Sequence, residues 1–243
     1  MRREEERMSM STGYPQVGVA VTCRSFEEYM LMFDLNEKDL AAAGSFLDIA
    51  GGASSFTADA HARGLDAHAV DPRYGLEPDR LIQEANEEIG VSAAKLAQVS
   101  DRYDFSYYGD LERHRAGREA SLAKFTAHYS QADIRMRFYK DGRLPNLPFD
   151  KDQFGLVLCS HFLFLYEEQF DYSFHLAAVL EMMRICRPGG SVRIYPIMSL
   201  KWKPYSYLEE LQAAIRAEGA ETGYFRSKLP FFPGSELGLF VNL

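Results

Sequence analysis

The chain contains 243 residues, with 27 Lys and Arg side chains against 35 Asp and Glu, so its formal net charge is -8 at pH 7. A hydrophobic share of 47% and a charged share of 26% are values of a globular protein, which excludes a disordered or low-complexity scaffold. The length suits one α/β domain, or one domain with a large insertion. The acidic balance disfavours a nucleic-acid partner, because phosphate contacts need a basic surface.

Signals for membrane insertion, secretion and metal binding are missing from the sequence. No apolar run approaches the ~20 residues that cross a bilayer, and the mixed charges of residues 1–7 precede no apolar stretch typical of a signal peptide. Three widely spaced cysteines form neither a disulfide framework nor a zinc motif, and the six histidines lack paired metal-ligand spacing. We therefore expect a cytoplasmic protein with no membrane partner and no metal.

The N-terminal residues 1–24 are expected to form a tail, frayed over its first 16 residues, and residues 25–243 to form one domain. The domain begins with a predicted helix. Ser25 can cap this helix, Glu28 lies three residues further on as in a capping box, and apolar side chains follow at Tyr29, Met30, Leu31 and Phe33.

A strand–helix–strand unit comes next. Residues 45–50 form a short apolar run that ends at Gly51-Gly52, residues 55–63 predict a short helix, and residues 66–70 predict a second strand. Two strands separated by one helix within ~25 residues are typical of a parallel βαβ unit with a right-handed crossover.

The middle of the chain, from residue 78 to about residue 132, has a mostly helical pattern. A doubly wound fold needs only one helix between its second and third strands, so we interpret residues 76–134 as a helical insertion. Both ends of that insertion should emerge at the carboxyl edge of the sheet. We expect the insertion to form a lid over the substrate, with Tyr107 and Tyr108 of the lid contacting the substrate. The alternative is a helical insertion that only adds stability.

Alternating strands and helices return after the insertion. The pattern predicts strands at 135–139, 154–160 and 191–195, helices at 174–186 and 207–217, a turn at 188–190, and two final strands at 223–226 and 238–243. The near-continuous apolar run at 154–160 is typical of a central parallel strand covered on both faces. This alternation predicts an α/β sandwich with a mostly parallel sheet.

The turn after the first strand is the most informative segment. Ala50, Gly51, Gly52 and Ala53 are small enough to let a ligand approach the backbone, and ligands of open parallel sheets bind beyond the carboxyl ends of the strands. Asp71 ends the next strand, 19 residues after Gly52, where a carboxylate can accept hydrogen bonds from a ribose diol. The alternative is an ordinary strand–helix turn in which Asp71 caps a loop before Pro72.

Several ordered motifs give this chain a resemblance to class I S-adenosylmethionine-dependent methyltransferases. Residues 46–54 (FLDIAGGAS) and 67–72 (AHAVDP) resemble the first two motifs of that family, residues 147–161 resemble the fourth, and residues 180–192 resemble the helix, turn and strand that follow. The match covers roughly residues 40–75 and 144–243. It implies a Rossmann-like, doubly wound, seven-stranded and mostly parallel sheet, here with a helical insertion.

The resemblance also implies the cofactor S-adenosylmethionine and roles for individual residues. Asp48 matches an acidic position near the methionine amino group, Asp71 the carboxylate that holds the ribose, and Ser160 and His161 the strand end that faces the methyl group. Ala50, Gly52 and Ser54 match three usual glycines, so two of these are replaced, and Gly51 lies within the same loop. The candidates for adenine contact are Lys140, Asp141 and Gly142. The insertion makes the alignment of this segment with the family motif ambiguous.

A nicotinamide-dependent dehydrogenase is the main competitor, since it also uses a glycine turn and a ribose-binding carboxylate. Its G-x-G-x-x-G pattern is missing from this sequence. A carboxylate at Asp48 would also repel a pyrophosphate, whereas S-adenosylmethionine carries a sulfonium and an ammonium. The charge of Asp48 therefore favours the methyltransferase.

The predicted function is in-line methyl transfer to a small-molecule acceptor. His161 is the candidate base or substrate orienter, with half-buried packing on Phe162 and Phe164 as the alternative, and Tyr166 is a second catalytic candidate. Predicted substrate contacts are His175, Trp202 and Tyr205, in addition to the two tyrosines of the insertion. A methyltransferase with a macromolecular acceptor, and a non-catalytic relative that binds a nucleoside or acts as a scaffold, remain alternatives. The acceptor atom and the oligomeric state are left open.

Overall fold

A seven-stranded sheet forms the centre of the computed structural model, which describes Tyr14, Gln16 and residues 18–243. The strand order is β3-β2-β1-β4-β5-β7-β6. Strands β1 to β5 run parallel, while β7 is antiparallel to both of its neighbours. The strands are β1 (Ser45–Ile49), β2 (Asp66–Val70), β3 (Tyr139–Lys140), β4 (Phe154–Ser160), β5 (Cys186–Tyr195), β6 (Glu221–Arg226) and β7 (Leu237–Asn242).

Eight α-helices accompany the sheet in the described part of the chain. They are α1 (Phe26–Met32), α2 (Glu37–Ala43), α3 (Phe56–Ala62), α4 (Pro78–Ala97), α5 (Leu111–Tyr129), α6 (Ala132–Phe138), α7 (Tyr172–Ile185) and α8 (Leu208–Ala217). None of these described helices is long and apolar enough to cross a membrane.

The core lies on both faces of the sheet because side chains alternate along its buried strands. Phe46 of β1 and Leu156 and Leu158 of β4 pack with α1 and α3 on one face. Leu47 of β1 and Val157 of β4 belong to the opposite cluster, which includes buried residues of α7 and α8. The doubly wound, mostly parallel, seven-stranded sheet predicted from the sequence is therefore confirmed.

Local signals at the start of the domain also predicted the structure. The hydroxyl of Ser25 accepts a hydrogen bond from the backbone N–H of Glu28, and the Glu28 carboxylate accepts one from the N–H of Ser25, which completes the capping box of α1. Strands β2 and β4 have the predicted bounds. Cys159 lies in the core, and burial raises the pKa of its thiol to about 12.

Two local predictions were wrong. Residues 135–139 were expected to form a strand, but α6 continues to Phe138 and only Tyr139 and Lys140 pair with β2. Met and Arg occupy most of that segment, and both favour a helix when no long strand partner is available. The turn expected at 188–190 lies inside β5, where the pairing with β4 shifts by several residues and Gly189 adopts a positive φ of 76°.

The N-terminal tail differs from the expectation as well. Residues 1–13, 15 and 17 lie outside the described residues, so the frayed segment is not tested. Residues 19–24, assigned to the tail, run across the carboxyl edge of the sheet and hydrogen-bond to the domain: Arg73 donates to the carbonyl of Val19, and Ala53 donates to that of Thr22. We call residues 19–24 the overlying segment.

Candidate functional site

The strand order reverses between β1 and β4, so the carboxyl ends of these strands border a crevice. The glycine turn after β1 lies at this edge. Ala50 and Gly52 have positive φ values of 56° and 55°, so Ala50 adopts the left-handed conformation that glycine prefers. A Cβ on Gly51 would come within 2.8 Å of the Tyr74 hydroxyl and 3.1 Å of Asp48 Oδ2, so only glycine fits there without a shift.

Asp71 lies at the end of β2, beside the glycine turn, and is only 3% exposed. Its Oδ2 accepts a hydrogen bond of 3.1 Å from the backbone N–H of Gly52, and its Oδ1 accepts one of 2.9 Å from that of Arg73. Burial raises the pKa of Asp71 above its ordinary value, while the bond from Arg73 opposes that shift. Each oxygen can accept a further bond, as a ribose diol would require.

Asp48 on β1 is the second buried carboxylate of this edge. It is 1% exposed, and the Tyr29 hydroxyl lies 3.0 and 3.1 Å from its two oxygens. Burial raises the pKa of Asp48 to about 8; the hydrogen bond from Tyr29 lowers it, and the charge of Asp71 raises it further. No cation among the described residues forms an ion pair with Asp48 or Asp71. These two acids therefore fit a ligand that brings positive charge and hydroxyl groups.

The glycine turn itself is covered by the chain. The overlying segment accepts hydrogen bonds from the N–H groups of Ala53 and Ser55, through the carbonyls of Thr22 and Arg24. On the other side of the turn, the hydroxyl of Tyr74 donates to the carbonyl of Gly52 over 2.9 Å. The carboxylates thus suit the chemistry of S-adenosylmethionine, while the N–H groups of Ala53 and Ser55 already bind the overlying segment.

A cavity of about 130 Å³ lies beside the overlying segment and opens to solvent at its mouth. That volume is small for a ligand site, so it suits a compact ligand. Its walls come from the overlying segment, the face of α4 around Ile89, the face of α5 around Arg118, and the loops after β4 and β5. Among the residues predicted to act in catalysis or substrate binding, it is lined by His161, Tyr166 and Trp202.

His161 follows β4 with a positive φ of 49° and is half-buried. Its ring nitrogen Nδ1 lies 3.0 Å from the hydroxyl of Ser160, and its backbone N–H donates to the carbonyl of Tyr195. Burial lowers the pKa of His161 well below its ordinary value, and the charges of Arg24 and Arg118 lower it further. The imidazole is therefore neutral at pH 7. The hydroxyl of Tyr166 accepts a bond from the N–H of Ala20.

A buried ion pair stabilises one wall of the cavity. Arg118 of α5 donates to Glu28 of α1 over 2.6 Å, and the hydroxyl of Tyr108 donates to the other oxygen of Glu28 over 2.5 Å. Burial alone would raise the pKa of Glu28, but the charge and hydrogen bond of Arg118 outweigh it and hold the pKa at about 2. Within residues 14, 16 and 18–243, no group of three or more His, Cys, Asp or Glu side chains could hold a metal ion.

Comparisons with known proteins give the fold its context. No protein-family model matches the chain. An uncharacterized protein of Methanocaldococcus jannaschii, MJ0045, is 27% identical over 202 residues, which are 83% of this chain and 88% of that protein. A crystal structure of Streptomyces venezuelae DesVI aligns with a TM-score of 0.49 at 12% identity and covers 90% of this chain and 92% of its own.

A methyltransferase of Aquifex aeolicus that depends on S-adenosylmethionine aligns with a TM-score of 0.42 at 13% identity, over 88% of this chain and 92% of that chain. Similarity at this level concerns the fold alone. Strand order, with β7 reversed beside β5, agrees with what the sequence motifs imply. The chain has a Rossmann-like, doubly wound α/β fold with a seven-stranded sheet.

Several predicted substrate and adenine contacts lie outside the cavity. The ring nitrogens of His175 lie 2.7 and 3.0 Å from the backbone carbonyls of Asp171 and Leu163, and the side chain is 0% exposed. Tyr205 packs against the ring of His175 in the core. The structure therefore contradicts a direct substrate contact for His175 and Tyr205, because core packing covers both rings.

The two tyrosines of the insertion occupy different environments. Tyr107 is 44% exposed, whereas Tyr108 lies behind the wall, packed on His114 and Phe231, which do line the cavity. Helices α4 and α5 thus contribute a wall of the cavity, and whether they act as a lid stays a prediction.

The three residues considered for adenine contact follow or end β3. The ammonium of Lys140 donates to the carbonyl of Met136 over 2.6 Å, so it is used within α6 and β3. Gly142 packs against Val70 and Pro148. The negative charge of Asp141 raises the pKa of Asp71, so Asp141 is the member of this group that lies near the ribose candidate.

Sequence patterns missed the residues that give the cavity its charge. Arg24 and Ser199 line it, as does Glu88 of α4. Each is one polar residue in a segment of ordinary composition, and their meeting depends on contacts between segments far apart in the chain. The one usable signal was the position of Arg24 directly before the capping box of α1.

Proposed function

We propose that this protein is an S-adenosylmethionine-dependent methyltransferase that acts on a small-molecule acceptor. One observation carries the proposal: two buried carboxylates, Asp48 and Asp71, lie at the carboxyl ends of adjacent parallel strands, on either side of a glycine turn, without an ion-pair partner among the described residues. Burying unpaired acids is costly, so a site that retains both is suited to a ligand with positive charge.

The roles follow from position. Asp71 accepts hydrogen bonds from the ribose hydroxyls, and Asp48 faces the ammonium of the methionine portion. When bound, the cofactor supplies an electrophilic methyl group. The protein holds the acceptor in line with that group, and such positioning is worth ~7–11 kcal/mol in well-oriented reactions. A nicotinamide dinucleotide fits less well, because its pyrophosphate brings negative charge and cannot compensate ionisation of the buried Asp48.

His161 is the group that can take a proton from the acceptor. It follows the strand whose end borders the crevice and it lines the cavity. Its lowered pKa makes the imidazole a weak base in the free protein, so it acts first as an orienter of the acceptor. A base is required only when the acceptor atom is an un-ionised O–H or a protonated nitrogen. Tyr166, whose hydroxyl also borders the cavity, orients the acceptor.

The shape of the cavity supports a small acceptor. The cavity of about 130 Å³ between two helices and the strand ends admits only a small molecule, and aromatic side chains form much of its wall. A macromolecular acceptor would instead need a flat or grooved surface next to the methyl group.

Calorimetric titration with S-adenosylmethionine and with S-adenosylhomocysteine tests the cofactor site. Wild-type protein should bind both, and Asp48→Asn and Asp71→Asn should each weaken binding. Asp66→Asn is the matched control, because Asp66 begins β2 with an exposed carboxylate paired to His68. Failure of millimolar cofactor to bind or to stabilise the wild-type protein against heat would refute the proposal.

A second candidate function is nucleoside binding without turnover, and the covered glycine turn favours it. In such a protein Tyr74 and the overlying segment would close the site against an acceptor. Transfer of a labelled methyl group to any acceptor, accompanied by release of S-adenosylhomocysteine, separates the two. Tight cofactor binding with no product across a broad acceptor panel would make the non-catalytic function the better account.

A further inference from the structure

The cavity contains a cation that has no ion-pair partner among the described residues, although the charge of Glu28 acts on it. Arg24, at the end of the overlying segment, lines the cavity, and its guanidinium forms no hydrogen bond or ion pair with any residue that the structure describes. Its charge acts to lower the pKa of His161 and Tyr166, two other residues of the wall, so the guanidinium lies near both. An arginine enclosed in this way is unusual, because buried charges are normally paired.

The backbone holds Arg24 in place. Its carbonyl accepts three hydrogen bonds: 2.8 Å from the hydroxyl of Ser54, 3.0 Å from the N–H of Ser55 and 2.9 Å from the hydroxyl of Ser121. The neighbouring carbonyl of Cys23 accepts a bond from Arg118. The backbone from which the Arg24 side chain extends is therefore fixed by the fold.

A second polar group of the wall is also without a partner. Ser199, after β5, lines the cavity and is 1% exposed, and no described residue accepts from or donates to its hydroxyl. Buried hydroxyls are nearly always hydrogen-bonded. An oxygen of a ligand that binds to Arg24 could satisfy Ser199 as well.

The remaining charges of the wall define how much negative charge the ligand carries. Arg118 is neutralised by Glu28. Burial and the charge of Arg118 hold the pKa of His114 at about 3, so this ring is neutral at pH 7. Glu88 also lines the cavity, and no described residue forms a hydrogen bond with its Oε1. Arg24 is thus the one lining cation without an ion-pair partner in the described part of the chain. A monoanion fits better than a dianion, because a second negative charge would meet Glu88 without a further cation to balance it.

The apolar part of the wall is aromatic. The ring of Tyr103 lies 4.9 Å from that of Phe231 and 6.5 Å from that of Trp202, and the ring of Phe232 lies 6.4 Å from that of His161. Rings at these separations favour a planar aromatic body placed against them.

We propose that Arg24 and Ser199 bind the carboxylate of a monoanionic aromatic acid, and that this acid is the methyl acceptor. The guanidinium fork matches the two oxygens of a carboxylate, and the rings of the wall hold the aromatic body. The proposal that the acid binds is argued from the cavity residues alone. The proposal that the acid accepts the methyl group rests in addition on the proposed methyltransferase function.

Binding of 3-phenylpropionate and indole-3-acetate, with 3-phenylpropionamide and phenyl phosphate as comparison ligands, tests the proposal by calorimetry on the full chain. The two acids should bind, the neutral amide and the dianionic phosphate should bind at least about tenfold more weakly, and Arg24→Gln should weaken acid binding by about tenfold or more. Arg24→Lys should restore part of that loss. Arg115→Gln, which removes an exposed cation of α5 paired with Glu119, is the matched control and should change nothing.

Further arms separate the possible outcomes. Glu88→Gln should leave acid binding unchanged or strengthen it, since it removes the opposing charge. Equal affinity for the acid and its amide, or unchanged acid binding in both Arg24 variants with native thermal unfolding, would overturn the proposal. Loss of S-adenosylmethionine binding in Arg24→Gln with intact acid binding would assign Arg24 to the cofactor instead. Acid binding by a protein that binds no cofactor would refute only the methyltransferase function.

Discussion

Replacing Asp48 with asparagine should change how the stability of the protein depends on pH. The pKa of this buried carboxyl is raised from 3.8 to about 8 in the folded chain, chiefly by burial. Between these two values the folded state retains a proton that the unfolded state has released. The contribution of Asp48 to the free energy of unfolding is therefore fully present below the unfolded-state pKa, and it is lost as the pH rises through the folded-state pKa.

The magnitude follows from one proton. Between about pH 4 and pH 8 the ionisation of Asp48 should lower the free energy of unfolding by about 1.4 kcal/mol for each pH unit. Over the pKa difference of about four units between the folded and unfolded states, the total is on the order of 5 kcal/mol. Asparagine cannot titrate, although its side-chain oxygen can still accept a bond from Tyr29. The difference in stability between wild type and Asp48→Asn should accordingly move in favour of the variant by about 1.4 kcal/mol for each pH unit.

Urea unfolding at pH 5, 6, 7 and 8, followed by circular dichroism, measures this difference. Asp66→Asn, at an exposed carboxylate of β2, should show no comparable trend and serves as the control. A difference between wild type and Asp48→Asn that is the same at pH 5 and pH 7 would refute the reasoning, because Asp48 would then be ionised in both states.

Titration of Asp48 should also couple cofactor binding to the release of a proton. A bound cation lowers the pKa of Asp48, so binding of S-adenosylmethionine at pH 7 should release up to one proton. Calorimetry in buffers with different heats of ionisation detects that release, and Asp48→Asn should lack it. Binding without proton release in the wild type would place the positive charge of the cofactor elsewhere.

Other substitutions give independent tests. Asp71→Ala should weaken binding of S-adenosylhomocysteine by ~1.5–3 kcal/mol in calorimetry, because a buried charge-assisted hydrogen bond is lost; equal affinity would remove the ribose assignment. Fluorescence titration should show no micromolar binding of NADH, and such binding would restore the dehydrogenase interpretation. Replacing Tyr107 and Tyr108 with alanine should impair methyl transfer but leave cofactor affinity nearly unchanged, and unaltered turnover would place the acceptor elsewhere. Arg118→Gln should cost ~3–5 kcal/mol of stability in urea unfolding, because it leaves the carboxylate of Glu28 buried without its cation; a loss below 1 kcal/mol would mean that water reaches the pair.

The parts of the fold that the sequence predicted well depend on contacts between near neighbours in the chain. The capping box at Ser25 and Glu28 closes within four residues, and the bounds of β2 and β4 follow from apolar runs ended by strong turn residues. The two wrong predictions concern segments whose conformation depends on pairing with distant strands. Residues 135–139 have no extended partner beyond two residues of β2, and the Gly-Gly pair at 189 and 190 bulges from a strand that Cys186 already begins.

The candidate site divides in the same way. Asp48, Asp71 and the glycine turn were visible because spacing along one βαβ unit places them together. Arg24 and Ser199 were not, because they meet only through the overlying segment and the loop after β5, which are 175 residues apart in sequence (199 minus 24). An unpaired charge is recognised only when its surroundings are known, and no local pattern encodes those surroundings.

The overlying segment has a consequence for the order in which ligands bind. One side of residues 19–24 accepts hydrogen bonds from the glycine turn, and Arg24 at its end borders the cavity. The backbone is already held, but the long side chain of Arg24 is not, so whichever ligand arrives first and orders that side chain spares the second ligand part of the ordering. By linkage, the cofactor then raises the affinity of the acid by the same factor as the acid raises that of the cofactor. Synergistic binding, with two weak ligands that become tight together, is therefore a property that this backbone geometry favours.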